Sequence, residues 1–420
     1  MSNNGWRTVK LGDVAQIILG GTPKTKEPAY WGGEIPWASV VDFDVPKYIY
    51  HTEKTITERG LNESNTKLLD INDIIISARG SVGKMVVCGR PVAFNQSCYA
   101  LRTKGNNLEQ NYLYYLLKYY VNHLKKVATG GVFDTIVTDT LKNLEIKLPP
   151  FDSQVFMGAI LSQYDNLIQN NIGRINSLEE SAKRLYREWF VKFRFPGHEN
   201  VPMVDSELGP IPEGWDVVKI NDAFDITGGG TPSTKTVEYW NEGNINWYSP
   251  KDLTAAKSVF MSKSGKQITE LGLKKSSARL FPKYSVMMTS RATIGVISIN
   301  STEACTNQGF ITCIPNGKFS MYHVYHWLTE NVDAFHNIST GATFKELIKT
   351  NFKKMDILLP DEETRTKFVG ISKSVFSEIE KIETKQQQLR AARDLLLPKL
   401  ISGQLDVSEL DIATEEMVTA

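Results

Sequence analysis

A chain of 420 residues allows two or three domains, each able to bury its own core. With 41% hydrophobic and 23% charged residues and a net charge of +1, it reads as an ordinary globular protein rather than a disordered one, and its overall charge neither favours nor excludes nucleic acid. No apolar run approaches the roughly 18 residues of a membrane helix, Met1 to Arg7 has no signal-peptide core, and Cys88, Cys98, Cys305 and Cys313 form neither a disulfide frame nor a metal knuckle, so reduced thiols and a cytoplasmic location are expected.

From the N-terminus, residues 1–148 mix short β-like runs, Leu69 to Ser77 and Met85 to Val87, with turn residues and one helical stretch, Glu109 to Val127. Leu148-Pro149-Pro150 ends the region, since proline stops one segment and can start a helix. After Asp152, positions Leu161, Tyr164, Ile168, Asn171, Ile175, Leu178, Ala182, Leu185 and Trp189 step by alternating threes and fours, the seam of a coiled coil. The chain then begins again. Trp6 to Val14 returns as Trp215 to Ala223, and the Gly20-Gly21-Thr22-Pro23 turn as Gly229-Gly230-Thr231-Pro232, an offset of 229 − 20 = 209. Trp31 matches Trp240, Ile35-Pro36-Trp37 matches Ile245-Asn246-Trp247, and Thr57 to Leu61 matches Thr269 to Leu273. Ser77 to Gly83 matches Thr289 to Gly295, and Asn95-Gln96 matches Asn307-Gln308. The helical stretch recurs at Ser320 to Leu328 and the stop at Leu359-Pro360. A second seam follows at Val375, Ile379, Ile382, Gln386, Leu389, Arg393, Leu396 and Leu400, interrupted by the polar Gln386 and Arg393.

A period this long marks a duplicated domain, not a solenoid. The expected fold is α+β: two globular mixed α/β domains in pseudo-twofold repeat, separated by two long helices packed as an antiparallel coiled coil. The predicted boundaries are a first domain at 1–150, a helical spacer at 151–195, a second domain at 196–360 entered through a linker at 196–214, a second spacer at 361–405 and a disordered tail at 406–420. Neither seam can be left in water, and each is about 60 Å long at most at ~1.5 Å per residue. Antiparallel pairing would set the two domains at opposite ends, a spacing that spans about one to two turns of duplex DNA at ~34 Å each.

Catalytic signatures are missing. There is no Gly-x-x-x-x-Gly-Lys-Ser/Thr phosphate loop and no His-Glu-x-x-His, while His323-x-x-His326 lies in an aromatic stretch that reads as packing. Leu148-Pro149-Pro150-Phe151 mimics the Asn-Pro-Pro-Tyr of an amino-methyltransferase, but leucine cannot accept a hydrogen bond from a base amino group. Gly228-Gly229-Gly230 is followed by Pro232 and does not open a nucleotide-binding helix.

Taken in this order and twice over, the Gly-Gly-Thr-Pro turns, the Arg-x-x-x-Gly segments at Arg79 and Arg291, the Gly209-Pro210-Ile211-Pro212-Glu213-Gly214-Trp215 entry and the helix endings at Glu188 to Gly197 and Leu396 to Gly403 resemble the specificity subunit of Type I restriction-modification systems. The resemblance covers essentially the whole chain. It implies a subunit without chemistry of its own that reads a bipartite, asymmetric target in double-stranded DNA. It also implies two modification subunits that methylate adenine and restriction subunits that translocate and cut. S-adenosylmethionine, ATP and Mg would then be held by those partners, with no cofactor and no metal in this chain and no membrane involved. Two other classes stay open on the residues alone: a duplicated scaffold for protein partners, and a regulatory DNA binder that acts without a methyltransferase. Strong salt dependence of DNA affinity would separate either DNA reader from the scaffold.

Candidate DNA contacts follow from residue chemistry. Thr22, Lys24, Thr25 and Lys26, matched by Thr231, Ser233 and Lys235, place hydroxyls and ammonium groups on glycine-rich turns suited to phosphate oxygens; an ordinary surface turn is the alternative. Arg79, Ser81 and Lys84, with Arg291 and Thr293, follow strand-like runs, where arginine can grip guanine or a phosphate, or form an internal ion pair. Asn95-Gln96 and Asn307-Gln308 read more readily as structural. The loops Thr129 to Phe133 and Thr340 to Lys345 add Thr343 and Lys345. Base reading belongs where the copies diverge, at 38–56, with Asp42, Asp44, Lys47, Tyr48 and His51, and at 248–267, with Lys251, Asp252, Lys257, Lys263 and Lys266. Trp189, Phe190 and Phe193 are candidates for contact with a modification subunit, with packing against the adjoining domain as the alternative.

Overall fold

The computed structural model describes residues 5–129, 135–341 and 345–407 and divides into two compact units. Unit 1 is Met1–Asn171 with Gln386–Ala420, and unit 2 is Ile172–Lys385. Each unit therefore holds one globular domain and half of each long helix.

In unit 1, β1 (Arg7–Lys10) pairs with β11 (Glu145–Leu148) and closes the ends of the domain on each other. The main sheet has the order β2 (Ala15–Leu19), β10 (Cys98–Thr103), β7 (Ile74–Ser77), β8 (Met85–Cys88), β4 (Tyr48–Ile49). A second sheet runs β5 (Lys54–Ile56), β3 (Trp31–Ala38), β9 (Val92–Phe94), β6 (Leu68–Leu69). The Ile74-Ile75-Ile76 run is buried on both faces, which is why it reads as continuous rather than alternating. Ile74, Ile76 and Leu101 face the helix Gln110–Thr129 through Tyr112, Leu113 and Leu116, while Ile75, Val86 and Ala100 meet Val92 and Phe94. The single run expected over Leu69 to Ser77 is two strands, parted by a turn in which Asn72 adopts φ 71°.

Unit 2 repeats the strand order. After β12 (Met203–Val204) and β13 (Ile211–Pro212) of the entry hairpin, β14 (Asp216–Lys219) pairs with β23 (Asp356–Leu359). The main sheet is β15 (Asp225–Thr227), β22 (Phe310–Ile314), β19 (Val286–Thr289), β20 (Ile297–Asn300), β17 (Phe260–Met261). The smaller sheet is β18 (Lys266–Ile268), β16 (Ile245–Tyr248), β21 (Ala304–Thr306). A helix, Met321–Glu330, covers the main sheet as Gln110–Thr129 does in unit 1, capped by the Ser320 hydroxyl accepting from His323 N.

The first long helix is Phe151–Tyr186, extended by a π turn over Arg187–Val191, and the second is Glu362–Ile401. In unit 1, Leu161 joins a core with Leu397, Leu400 and Ile401, while Asp165 meets Arg393 and Ile168 O accepts from Gln386 Nε2 at 3.4 Å. In unit 2, Trp189 meets Phe368 and Arg174 pairs with Glu378. Partner numbers fall as the first helix advances, so the pairing is antiparallel within each unit. The two polar interruptions of the second seam thus find partners on the first helix, the half-buried Gln386 amide through Ile168 O and the buried Arg393 guanidinium through Asp165.

Candidate nucleic-acid interface

Strand register gathers the candidate loops. In unit 1, Leu19 lies opposite Tyr99, Ser77 opposite Cys98 and Ile76 opposite Met85, so the ends of β2 and β7 and the starts of β8 and β10 share one edge of the sheet. The loops at 20–30, 78–84 and 95–97 all leave that edge. In unit 2, Thr227 faces Thr312, Thr289 faces Phe310 and Met288 faces Ile297, which gathers 228–236, 290–296 and 307–309 in the same way. Residues distant in sequence become one rim because antiparallel neighbours begin where the adjacent strand ends.

The Gly-Gly-Thr-Pro turns are rigid. A Cβ at Gly20 would lie 2.0 Å from Asn95 O and one at Gly229 1.9 Å from Thr306 O, so the chain passes only where there is no side chain. Gly21 N donates to Phe94 O at 3.0 Å, and Gly230 N to Thr306 O at 2.9 Å. Two tryptophans brace each turn from beneath. Trp37 Nε1 donates to Gly21 O (3.1 Å) and Trp31 Nε1 to Lys24 O (3.2 Å). Trp247 Nε1 donates to Gly230 O (2.9 Å) and Trp240 Nε1 to Ser233 O (3.0 Å). Each pair stacks edge to face with ring centroids 5.1 Å apart. Sequence reasoning used these tryptophans only to set the repeat register; their recurrence beside the turns is the signal for the brace. The turns present exposed Lys24, Thr25 and Lys26 in one copy and exposed Ser233 and Lys235 in the other. Thr22 and Thr231 are half-buried, and Thr231 Oγ1 donates to Gln308 Oε1 at 2.7 Å.

Beside these turns, Arg79, Ser81 and Lys84 are exposed in a loop with Gly80 at φ 72° and Gly83 at φ 83°. Arg291 takes the internal option: its Nε lies 2.6 Å from Glu346 Oε1 while the residue stays exposed, as does Thr293. Asn95 Oδ1 accepts from Ser97 N (3.0 Å) and Asn307 Oδ1 from Gly309 N (2.8 Å), so both asparagines shape the turn. Lys345 is exposed; Thr343, the loop 130–134 and the tail from 408 onward lie outside the described residues.

The divergent segments share a frame that their sequences conceal. Ser39 and Asp42 form a capping box, as do Ser249 and Asp252. The second oxygen of each aspartate accepts a further backbone N–H, Glu53 N or Gly265 N, at 2.7 Å. Asp42 and Asp252 are therefore fixed inside the segment. The register moves from 247 − 37 = 210 to 268 − 56 = 212 across it, and the extra residues turn the 3-10 helix Val40–Phe43 into the α-helix Pro250–Ala256. Lys251, Lys257, Lys263 and Lys266 are exposed, with Lys257 in the left-handed region at φ 47° and Lys266 Nζ 5.5 Å from the Trp240 ring.

Two expectations are corrected. Lys47 is 1% exposed, with Nζ 3.1 Å from Ser162 Oγ and 3.3 Å from Tyr115 Oη, so it cannot meet DNA. Burial pulls its pKa down to about 8, opposed by the Asp165 and Glu109 carboxylates. Trp189 and Phe190 are buried against Phe368, with Phe190 also against Trp215, and Phe193 is half-buried edge-on to Trp215. Trp189 and Phe190 thus pack inside unit 2 and are not free to meet another subunit, while Phe193 keeps a partly exposed face.

Among the described residues, no group of three or more His, Cys, Asp or Glu is placed to hold a metal ion. His323 and His326 sit in the aromatic core against Tyr186, where burial drives their pKa down to about 3. No helix among the described residues is long and apolar enough to cross a membrane.

Twice, then, the chain builds a braced rim of hydroxyl- and lysine-bearing loops on a rigid sheet, the form of a two-domain recognition protein. A family model described as the Type I restriction modification DNA specificity domain matches residues 3–180 and again 212–391. The chain belongs to that family, the specificity subunits of Type I restriction-modification systems, and carries two target-recognition domains. It is 27% identical over 415 residues to the Type I restriction enzyme MjaIX specificity subunit of Methanocaldococcus jannaschii, covering 96% of this chain and 94% of that one. It is 22% identical over 336 residues to the HindI specificity subunit of Haemophilus influenzae, covering 66% of this chain and 72% of that one. The crystal structure of a Type I system S subunit from M. genitalium shares the fold, with a TM-score of 0.59 at 15% identity over 97% of this chain and 98% of that one. Specificity subunits are non-catalytic components of such systems.

Proposed function

We propose that each domain reads one half of a two-part asymmetric DNA target and that the chain assembles with two adenine-methylating modification subunits and with restriction subunits. The observation that carries the reading is the matched rim: the same braced turn, with exposed Lys24 and Lys26 in one domain and Lys235 in the other, beside a segment that differs between them. Lysine ammonium groups, hydroxyls and turn amides suit phosphate oxygens, which fix register without specifying sequence. The exposed parts of 38–56 and 248–267 then read base edges, where two heads with different targets must differ. S-adenosylmethionine, ATP and Mg belong in this reading to the partner subunits.

The test is a map of methylated adenines in cells that express the chain with its modification subunit, against cells lacking the chain. A two-part motif of fixed gap, present only with the chain, is expected. Replacing 248–267 alone should change one half of it and spare the other. A stable complex without new methylation would sink the reading.

A further inference from the structure

The divergent segments are tied down at one equivalent point. In unit 1 it is Lys47, whose carbonyl accepts from Val87 N at 2.8 Å just before β4 runs parallel to β8. In unit 2 it is Val259, offset by 259 − 47 = 212, whose carbonyl accepts from Ile299 N at 2.7 Å just before β17 runs parallel to β20. Each point also meets a long helix, by opposite means. Lys47 sends its own ammonium to Ser162 Oγ on the first long helix and to Tyr115 Oη, and Tyr115 in turn donates to Asp165 Oδ2 at 2.6 Å. In unit 2 the helix does the reaching. Glu383, 5% exposed, accepts from Val259 N at 2.8 Å and from Phe260 N at 2.9 Å, one amide on each carboxylate oxygen.

We propose that Lys47 and Glu383 are positioning residues for target reading: they fasten the middle of each divergent segment to a long helix and so fix where its exposed parts stand on the rim. The proposal rests on the reading that these segments meet the bases. An apolar contact would hold the same point with less directional demand, whereas a buried polar group is held only where its hydrogen-bond partners lie, because leaving it unpaired is costly. The two fastenings differ in what they require of the segment. Glu383 grips backbone amides, so any non-proline residues at 259 and 260 satisfy it, and the exposed part of 248–267 is free to vary. In unit 1 the grip is a side chain of the segment itself, and a replacement of 38–56 must keep a lysine at 47.

The experiment uses the full chain with its modification subunit, native and as Glu383→Ala, Glu383→Gln, Lys47→Met and Lys47→Arg. Two readouts are taken, the methylation map and amide hydrogen exchange. Glu383→Ala is expected to speed exchange at Val259 and Phe260 at least tenfold while β19 and β22 keep their protection, and to relax only the half-target read by the second domain. Glu383→Gln, which keeps one acceptor oxygen, falls between native and alanine. Lys47→Met should loosen the Val87 amide and relax only the other half-target, with Lys47→Arg milder. Unchanged exchange at these amides, or equal relaxation of both halves, overturns the proposal. A native map with no two-part motif overturns the underlying reading, and exchange then still decides whether the fastening exists.

Discussion

The same two helices bury an ion pair between them in one unit and a cluster of rings in the other. In unit 1 the seam contains a buried ion pair, Asp165 (2% exposed) with Arg393 (6% exposed), and Tyr115 and Lys47 extend the network into the domain. In unit 2 the corresponding contacts are Tyr186, Trp189 and Phe190 against Phe368, and Phe376 extends the ring cluster into the domain against His326. A heptad seam tolerates both solutions, because it asks only that knobs fill holes and that buried polar groups find partners. The consequences differ: removing one ion strands its partner, whereas removing one ring leaves a cavity.

That contrast can be broken from either side. Asp165→Ala takes from Arg393 its buried carboxylate, leaving the exposed Asp394, and from Lys47 the stronger of two carboxylate charges, and should destabilise unit 1 by about 3 kcal/mol. Phe368→Ala should cost unit 2 about 3–5 kcal/mol through lost packing. Denaturant melts followed by hydrogen exchange, which assigns the loss to one unit, check both; a loss shared equally by the units would contradict the division. Replacing Asp165 and Arg393 together by leucine should recover part of the stability lost in Asp165→Ala, since it removes the stranded guanidinium, while Lys47 and the Tyr115 hydroxyl still lack the Asp165 carboxylate.

A smaller effect sharpens the contrast by pH. Glu383 has its pKa pushed up to about 7 by burial, opposed by the Phe260 and Val259 amides and reinforced by Glu179 and Glu380. A carboxyl whose folded pKa exceeds its unfolded value adds stability that is fully present below about 4.5 and is lost as pH rises through about 7. Native unit 2 should therefore lose up to about 3 kcal/mol from this group between those values. The melting profile of Glu383→Gln should be flatter over the same range, and parallel profiles would rule out this origin.

The braced turns come next. Trp247→Phe keeps the ring but strands Gly230 O, and should cost about 1 kcal/mol of stability and weaken DNA binding by the second domain. Equal affinity in native and variant complexes would remove the brace from the account. Smallest is Lys235→Gln, which should lower the salt slope of DNA binding by about 0.9 and leave the target unchanged. An altered target would move Lys235 from phosphate to base contact.

How far the site was legible depends on the kind of signal. The Gly-Gly-Thr-Pro turns could be read because glycine, proline and hydroxyl residues have local meanings that survive in any tertiary setting. Lys47 could not be placed, because an ammonium's exposure depends on Tyr115 and Ser162, which lie 115 − 47 = 68 and 162 − 47 = 115 residues away. Asp42 and Asp252 looked like readers of bases and are caps, although Ser-x-x-Asp was present in both copies to show it. Trp189 and Phe190 looked like an outward patch because a helix terminus gives no hint of which ring it will meet. Arg393 looked like a defect in a seam until Asp165 supplied its partner.

By itself the sequence determined the duplication, the two seams and their phase, the punctuation by Pro149 and Pro360, and the glycine turns. All of these rest on periodicity or on backbone constraints carried by single residues. Only the tertiary structure decided that three loops share one rim, that paired tryptophans stiffen each turn, and that each divergent segment is fastened to a helix. Those outcomes depend on which residues, far apart in the chain, are brought within hydrogen-bonding distance in the core. Burial then decides whether a lysine or a glutamate serves the surface or the frame.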